Sequence, residues 1–223
     1  MALIFETNFE NGSFIDKVGG LVGTPKDFVL TQTNYGIANR IDPRISTTQF
    51  VSYPITSYVN SSFTYEVWYR FLTSTSGRSS SYTYFIGPGG GGNTGIGITM
   101  NPGTYFGFEI FGSIGGRQSK TITGVLVGQL YHVVFCVDFP TRIITFFRNG
   151  KRVSATTAFA DWGTITQQNN LFYVGNSYAS TTTMNGTQIY KAKIYNHICS
   201  EKEILNSCKS FTPSLNNKTI YMS

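Results

Sequence analysis

Two glutamates sit inside stretches that alternate like strands. Glu66 lies in Phe63-Thr-Tyr-Glu-Val-Trp-Tyr-Arg-Phe71 and Glu109 in Tyr105-Phe-Gly-Phe-Glu-Ile-Phe111. Cutting a glycosidic bond takes two carboxyl groups about 5 to 10 Å apart, one as acid and the other as nucleophile or base. Glu66 and Glu109 fall on different strands and could approach each other; equally, each could be an outward or groove-facing polar residue. The only histidines are His132 and His197. His132 lies within a strand-like run and is expected as a packed ring with a satisfied ring nitrogen rather than as a catalytic group. His197 precedes a helical stretch and is expected at the surface. Ser is too abundant for sequence order to single out a Ser-His-Asp set. Cysteines number three, Cys136, Cys199 and Cys208. An odd count at irregular spacing is no disulfide framework. Cys136, inside Val133-Val-Phe-Cys-Val137, reads as a small buried hydrophobe. Cys199 and Cys208 could pair across a helical turn. With scattered cysteines and two distant histidines, zinc-ligand spacing is absent.

Aromatic side chains near loops are the other source of chemistry, because sugar rings stack on exposed aromatic faces. Trp162, Tyr178, Tyr82 and Tyr84 are the candidates for glycan contact. The competing reading is core packing, and Trp68 is the tryptophan expected in the core. The glycine-rich stretch Gly87-Pro-Gly-Gly-Gly-Gly-Asn93 is no phosphate loop. It lacks the following Lys-Ser/Thr and opens no helix. It reads as a loop tip, a kind of place where binding function is often carried.

These residues must be positioned by strands. Aromatics make up 15% of the chain and charged residues 13%, which favours a large apolar core under a hydroxyl-rich surface. Twenty-four glycines suit frequent turns between short strands. The net charge of +6 arises from few acids, 11, against 17 scattered bases. No run of Lys/Arg reaches the density of a nucleic-acid patch, so no nucleic-acid partner is expected. The start Met1-Ala-Leu-Ile-Phe-Glu6 lacks a basic region, so no signal peptide is expected. No 18-residue apolar run exists, and membrane insertion is not expected.

Period-two alternation recurs over 3–9, 27–31, 49–54, 63–72, 82–87, 95–100 and 104–111. In 63–72 the odd positions share one face, and Thr64, Glu66, Trp68 and Arg70 the other. The hairpin over 142–153 turns at Asn149-Gly150, a pair that favours a type I′ turn. One helix is expected, over 201–207, with Ser200 as cap and Glu203 closing a capping box. Neither an internal repeat nor a linker is visible, and residues 1–223 read as one domain.

Four segments in order carry a resemblance: the strand Phe63–Phe71, the hairpin Ile143–Val153 ending its first strand in Asn-Gly-Lys, the strand Leu171–Asn176, and the run Gly186–Asn196 followed by Ser200-Glu-Lys-Glu203-Ile204. Together with Tyr131-His-Val-Val134, in the place of an aromatic-His strand start, they resemble the laminin-G-like branch of the concanavalin A-like lectin/glucanase superfamily. The resemblance runs from about residue 63 to 206 and is looser over 1–62. It implies an all-β fold, a two-sheet antiparallel jelly-roll sandwich with one short C-terminal helix. The superfamily's glucanases carry Glu-x-Asp-x-x-Glu on one strand, a string absent here. No catalytic residue is therefore assigned. Many relatives bind calcium at the rim with oxygen ligands. Here Tyr190 and Lys191 align where relatives carry acids, which leaves Asp16 and Asn176 as the remaining calcium candidates. The competing reading is that Asp16 stabilises a turn.

The resemblance and the acid-poor, hydroxyl-rich composition favour a non-enzymatic binding or structural module. The first reading is a bacteriophage virion protein, associated with capsid decoration, tail or fibre. It would be assembled in the host cytoplasm in several copies against other virion proteins. The alternative is a secreted or surface lectin module that binds cell-surface glycans. A glycoside hydrolase with displaced carboxylates comes third.

Overall fold

In the computed structural model the residues described are 2–27, 29–41, 49–55, 60–72, 86–87, 95–101, 105–114, 117–153, 157–158, 160–165, 171–176 and 187–211. Strand β6 (Phe63–Phe71) is the organising element. Its side chains alternate between two faces, and Phe63, Tyr65, Val67 and Tyr69 on one of them are fully buried. Strand β11 (Leu130–Asp138) pairs with it on one side and β16 (Thr187–Tyr195) on the other, both antiparallel. Beyond β11 the sheet continues through β12 (Ile143–Arg148) to β13 (Lys151–Arg152). Beyond β16 it continues through β4 (Gly36–Ile41) to β3 (Val29–Thr33). Strand β1 (Leu3–Thr7) also pairs with β16, and β14 (Thr157–Ala158) with β12, giving a nine-stranded sheet.

The opposing layer is built from two smaller sheets. One runs β2 (Thr24–Lys26), β5 (Gln49–Tyr53), β15 (Phe172–Asn176), β7 (Ile86–Gly87). The other runs β10 (Arg117–Thr123), β9 (Tyr105–Phe111), β8 (Gly95–Asn101), and β7 lies beside β8. The core fills the space between the layers. Phe5 of the large sheet packs edge-on against Tyr53 and Phe172 of the opposite layer, with centroids 4.7 and 5.2 Å away. Phe108 meets Phe135 across the same gap at 5.2 Å. Such edge-on and tilted pairs are the favoured aromatic arrangements. This is the expected all-β jelly-roll sandwich.

Two local devices shape the outer face of the large sheet. A bulge in β16 between Ile189 and Lys191 leaves Tyr190 unpaired with β6. Ile189, Ala192 and Ile194 therefore face the core, while Tyr190, Lys191, Lys193 and Tyr195 turn outward. Helix α1 (Glu201–Ser210) then lies over part of that outward face. Ile204 packs with Val134, Cys136, Phe147 and Cys199. The helix starts as expected: Ser200 Oγ accepts the Glu203 N–H, and the Glu203 carboxylate accepts the Ser200 N–H at 2.7 Å. It runs three residues further than the sequence suggests.

The Asn149-Gly150 turn is also as read, with positive φ at both residues, 52° and 78°. Asn149 adds a role of its own. Its backbone N–H donates to the His132 carbonyl at 2.8 Å, and its side-chain oxygen accepts the His132 N–H at 3.1 Å. The suggested Cys199–Cys208 disulfide is not formed. All three cysteines are free thiols buried on the helix side of the large sheet, and Cys136 and Cys199 share one cluster with Ile204. Among the described residues no helix is long and apolar enough to cross a membrane.

Candidate functional site

Glu66 projects from β6 onto the outer face of the large sheet, beneath α1, with 1% of its surface exposed. Two neighbouring strands supply its partners. His132 of β11 donates Nε2–H to Oε1 at 2.6 Å. Tyr195 of β16 donates its hydroxyl to Oε2 at 2.8 Å. Lys193 of β16 places its ammonium 3.5 Å from the same oxygen and donates to Ser207 Oγ of α1 at 2.7 Å and to the Tyr195 oxygen at 3.3 Å. Register explains the convergence: Glu66 stands opposite Val134 on one side and Lys193 on the other, two residues from His132 and Tyr195. Burial works to raise the Glu66 carboxyl. The His132 hydrogen bond, with the charges of His132 and Lys193, outweighs it and holds the carboxyl below its usual range. Tyr195 is driven well up by burial and by the Glu66 carboxylate it faces.

The Trp68 ring roofs one end of this network. It stacks on His132 at 4.4 Å, with Phe211 stacked at 5.4 Å and the Lys193 ammonium 5.2 Å from its centroid. A carboxylate with both oxygens engaged under a helix has no lone pair directed at solvent. The arrangement suits the fixing of α1 to the sheet through Lys193 and Ser207. His132 is thus packed, as expected, although its Nδ1 is buried without a partner.

Glu109 does not join Glu66. Its neighbours Phe108 and Ile110 face the core, so Glu109 turns to the far face of the opposite layer, where it too is buried, 1% exposed. The two carboxylates point away from each other across the sandwich, and no acid–nucleophile pair can form between them.

The sequence candidates separate in space. Trp162 is 1% exposed and packs in the core with its ring 5.5 Å from Phe139. Its face is not available to a sugar. This corrects its reading as a glycan contact: an indole in a loop found more apolar surface inward than outward. Tyr82, Tyr84 and Tyr178 lie outside the described residues. Asp16 is 1% exposed, with Oδ1 accepting the N–H of Glu6 (2.8 Å) and Val18 (3.1 Å) and Oδ2 that of Gly19 (2.6 Å). Those three donors make it the organiser of a turn, the competing reading given above. Asn176 closes β15 through its backbone, and its side chain lies outside the described residues. Lys191, at the rim position where relatives carry an acid, pairs instead with Glu6 at 2.7 Å.

Two groupings were not visible in the sequence. On the outer face of the smaller layer Phe50 and Tyr173 pack edge to face at 4.9 Å, with the Lys26 ammonium 6.0 Å from the Phe50 centroid. Phe50 keeps part of its ring exposed. The alternation of Gln49-Phe-Val-Ser-Tyr53, with Val51 and Tyr53 inward, is the signal that places Phe50 outside. The second grouping joins His197, Cys199 and Glu203, whose ligand atoms all lie within 4.8 Å of one another. His197 is less exposed than expected, its side chain being 10% accessible beside the Tyr195 ring.

A family model described as the concanavalin A-like lectin/glucanases superfamily, Laminin_G_3, matches residues 46–205. No curated protein sequence matches the chain. Solved structures with the same fold include one of botulinum neurotoxin type C, described by its dependence on two ganglioside molecules for cell entry. It is 14% identical with a TM-score of 0.76, over 95% of this chain and 51% of that one. Another is the binding domain of Paraclostridial Mosquitocidal Protein 1, 13% identical with a TM-score of 0.74, over 94% and 52%. A third is the binding domain of botulinum neurotoxin DC in complex with rat synaptotagmin II, 13% identical with a TM-score of 0.72, over 94% and 52%. The chain spans about half the length of each of these structures.

Proposed function

The chain belongs to the concanavalin A-like lectin/glucanase superfamily, and from that premise we propose that it is a non-enzymatic binding module whose jelly-roll surface engages glycans. The carrying observation is the placement of the two strand glutamates. Glu66 is sealed under α1 by His132, Tyr195 and Lys193, and Glu109 is buried on the far face of the other layer. A fold shared with glucanases carries no activity of its own when the acids are so placed. The proposed contact face is the outside of β2, β5 and β15. There the partly exposed Phe50 residue supplies an apolar platform and Lys26 a charge beside it. The ganglioside named for the neurotoxin type C structure supports a glycan as ligand class.

The finer reading is a bacteriophage virion component, carried as capsid decoration or on tail or fibre. It rests on the acid-poor, hydroxyl-rich composition and on a turn that exposes Ile15 (51%), Val18 (45%) and Val22 (70%) to a protein partner. Mass spectrometry of purified particles tests it: the chain should be recovered in many copies per particle. Its absence would leave the secreted lectin reading.

A further inference from the structure

We propose that His197, Cys199 and Glu203 form a binding site for a borderline-soft divalent ion of the zinc type at the junction of β16 and α1. The distances come first. His197 Nε2 lies 3.7 Å from Cys199 Sγ and 3.4 Å from Glu203 Oε1. Zinc bonds of about 2.0–2.3 Å in a tetrahedral arrangement put a nitrogen about 3.6 Å from a sulfur and about 3.4 Å from an oxygen. Two edges of the ligand triangle thus already have the required length. The third, at most 4.8 Å, is closed by a small rotation of the exposed Glu203 side chain.

The imidazole is placed to serve. The His197 side chain is nine-tenths buried, and its Nε2 is aimed into the cluster, with Glu203 Oε1 and Cys199 Sγ as its two long contacts, while the unpartnered ring atom is Nδ1 on the opposite edge. The strap that carries the ligands is held rigidly from below. Thr64 of β6 donates Oγ1–H to the His197 carbonyl at 2.7 Å and accepts the Cys199 N–H at 2.9 Å. Glu203 is oriented through its other oxygen, which accepts from Ser200 N and Oγ at 2.7 Å each and leaves Oε1 turned to His197. Carboxylates that serve as ligands are held in this way by outer partners.

Imidazole with thiolate selects zinc-like ions over magnesium or calcium. Three protein ligands leave one position for water, which can arrive from the exposed Glu203 side. A cysteine thiol ordinarily keeps its proton at neutral pH, and the thiolate is the metal ligand. Binding must therefore expel its proton: one M²⁺ enters, the Sγ–H bond breaks, the Sγ–M bond forms, and one H⁺ leaves to solvent. Such an ion would tie the end of β16 to the first turn of α1.

The test uses the full chain, reduced and stripped with a chelator, then titrated with Co²⁺ as a visible stand-in. A thiolate-to-cobalt absorption band should saturate at one equivalent, with release of a proton, and be bleached by Zn²⁺. Cys199→Ser should abolish the band, while Cys208→Ser should keep it. Glu203→Gln retains an acceptor for the Ser200 N–H and should weaken cobalt binding by at least about tenfold. The proposal is overturned if the parent gives no thiolate band, or if Cys199→Ser gives the same band at the same stoichiometry. If Cys199→Ser does not fold, unchanged cobalt affinity in both Glu203→Gln and His197→Gln overturns it.

Discussion

Glu66 shows how one residue can look catalytic in a sequence and be structural in the fold. A buried carboxylate opposite a buried ammonium is costly to disrupt from one side, because the remaining charge loses its partner. Glu66→Gln should therefore lower stability by about 3 kcal/mol at neutral pH, read from denaturant melts. The pH dependence follows from the depressed carboxyl. Glu66 titrates below its ordinary 4.5 in the folded chain. Its contribution is complete above 4.5 and is lost as pH falls through the lower folded value. The parent should thus lose stability below pH 4.5 more steeply than Glu66→Gln, and the gap between them should narrow. A constant gap from pH 7 to 3 would mean that the carboxylate is not held as described. Trp162 is the second case at this scale. Trp162→Ala should cost about 3–5 kcal/mol through a core cavity. A thermal melt within a degree of the parent would return Trp162 to the surface.

Among the elements, the Asn149-Gly150 hairpin was the most legible, because a two-residue turn with positive φ at both positions leaves few residue choices. A Cβ at Gly150 would stand 3.0 Å from Leu205 Cδ1 of α1, as well as meeting a φ of 78°. Gly150→Val should therefore cost about 1–3 kcal/mol in a thermal or denaturant melt. Parity of melting between variant and parent would contradict the turn. Strands β6 and β11 were legible for a related reason: each buries aromatic and β-branched side chains in strict alternation or a continuous run. Strands β4 and β10 were not. Arg117-Gln-Ser-Lys-Thr-Ile-Thr123 is nearly all polar and owes its strand form to its pairing with β9. Such tertiary override carries no local signal. The site fared similarly. The capping box was readable, but Glu66 with Lys193, and His197 with Cys199 and Glu203, meet only because of the β16 register and the helix placed over it.

For the whole molecule, the claim is a sandwich that holds a ligand without altering it. The large sheet spends its outer face on packing α1 and Phe211, whereas the smaller layer keeps Phe50 partly open. Aromatic platforms contribute through area and ring stacking, so truncating Phe50 should remove most of the affinity while leaving the core intact. The direct measurement is an array of intact oligosaccharides, gangliosides included, incubated with parent and Phe50→Ala protein and read for both retained protein and remaining sugar. The account predicts that the parent is retained on a defined subset of glycans, that every glycan survives unshortened, and that retention is lost with Phe50→Ala. Shortened glycans that depend on Glu66 or Glu109, or no retention anywhere on the array, would contradict it.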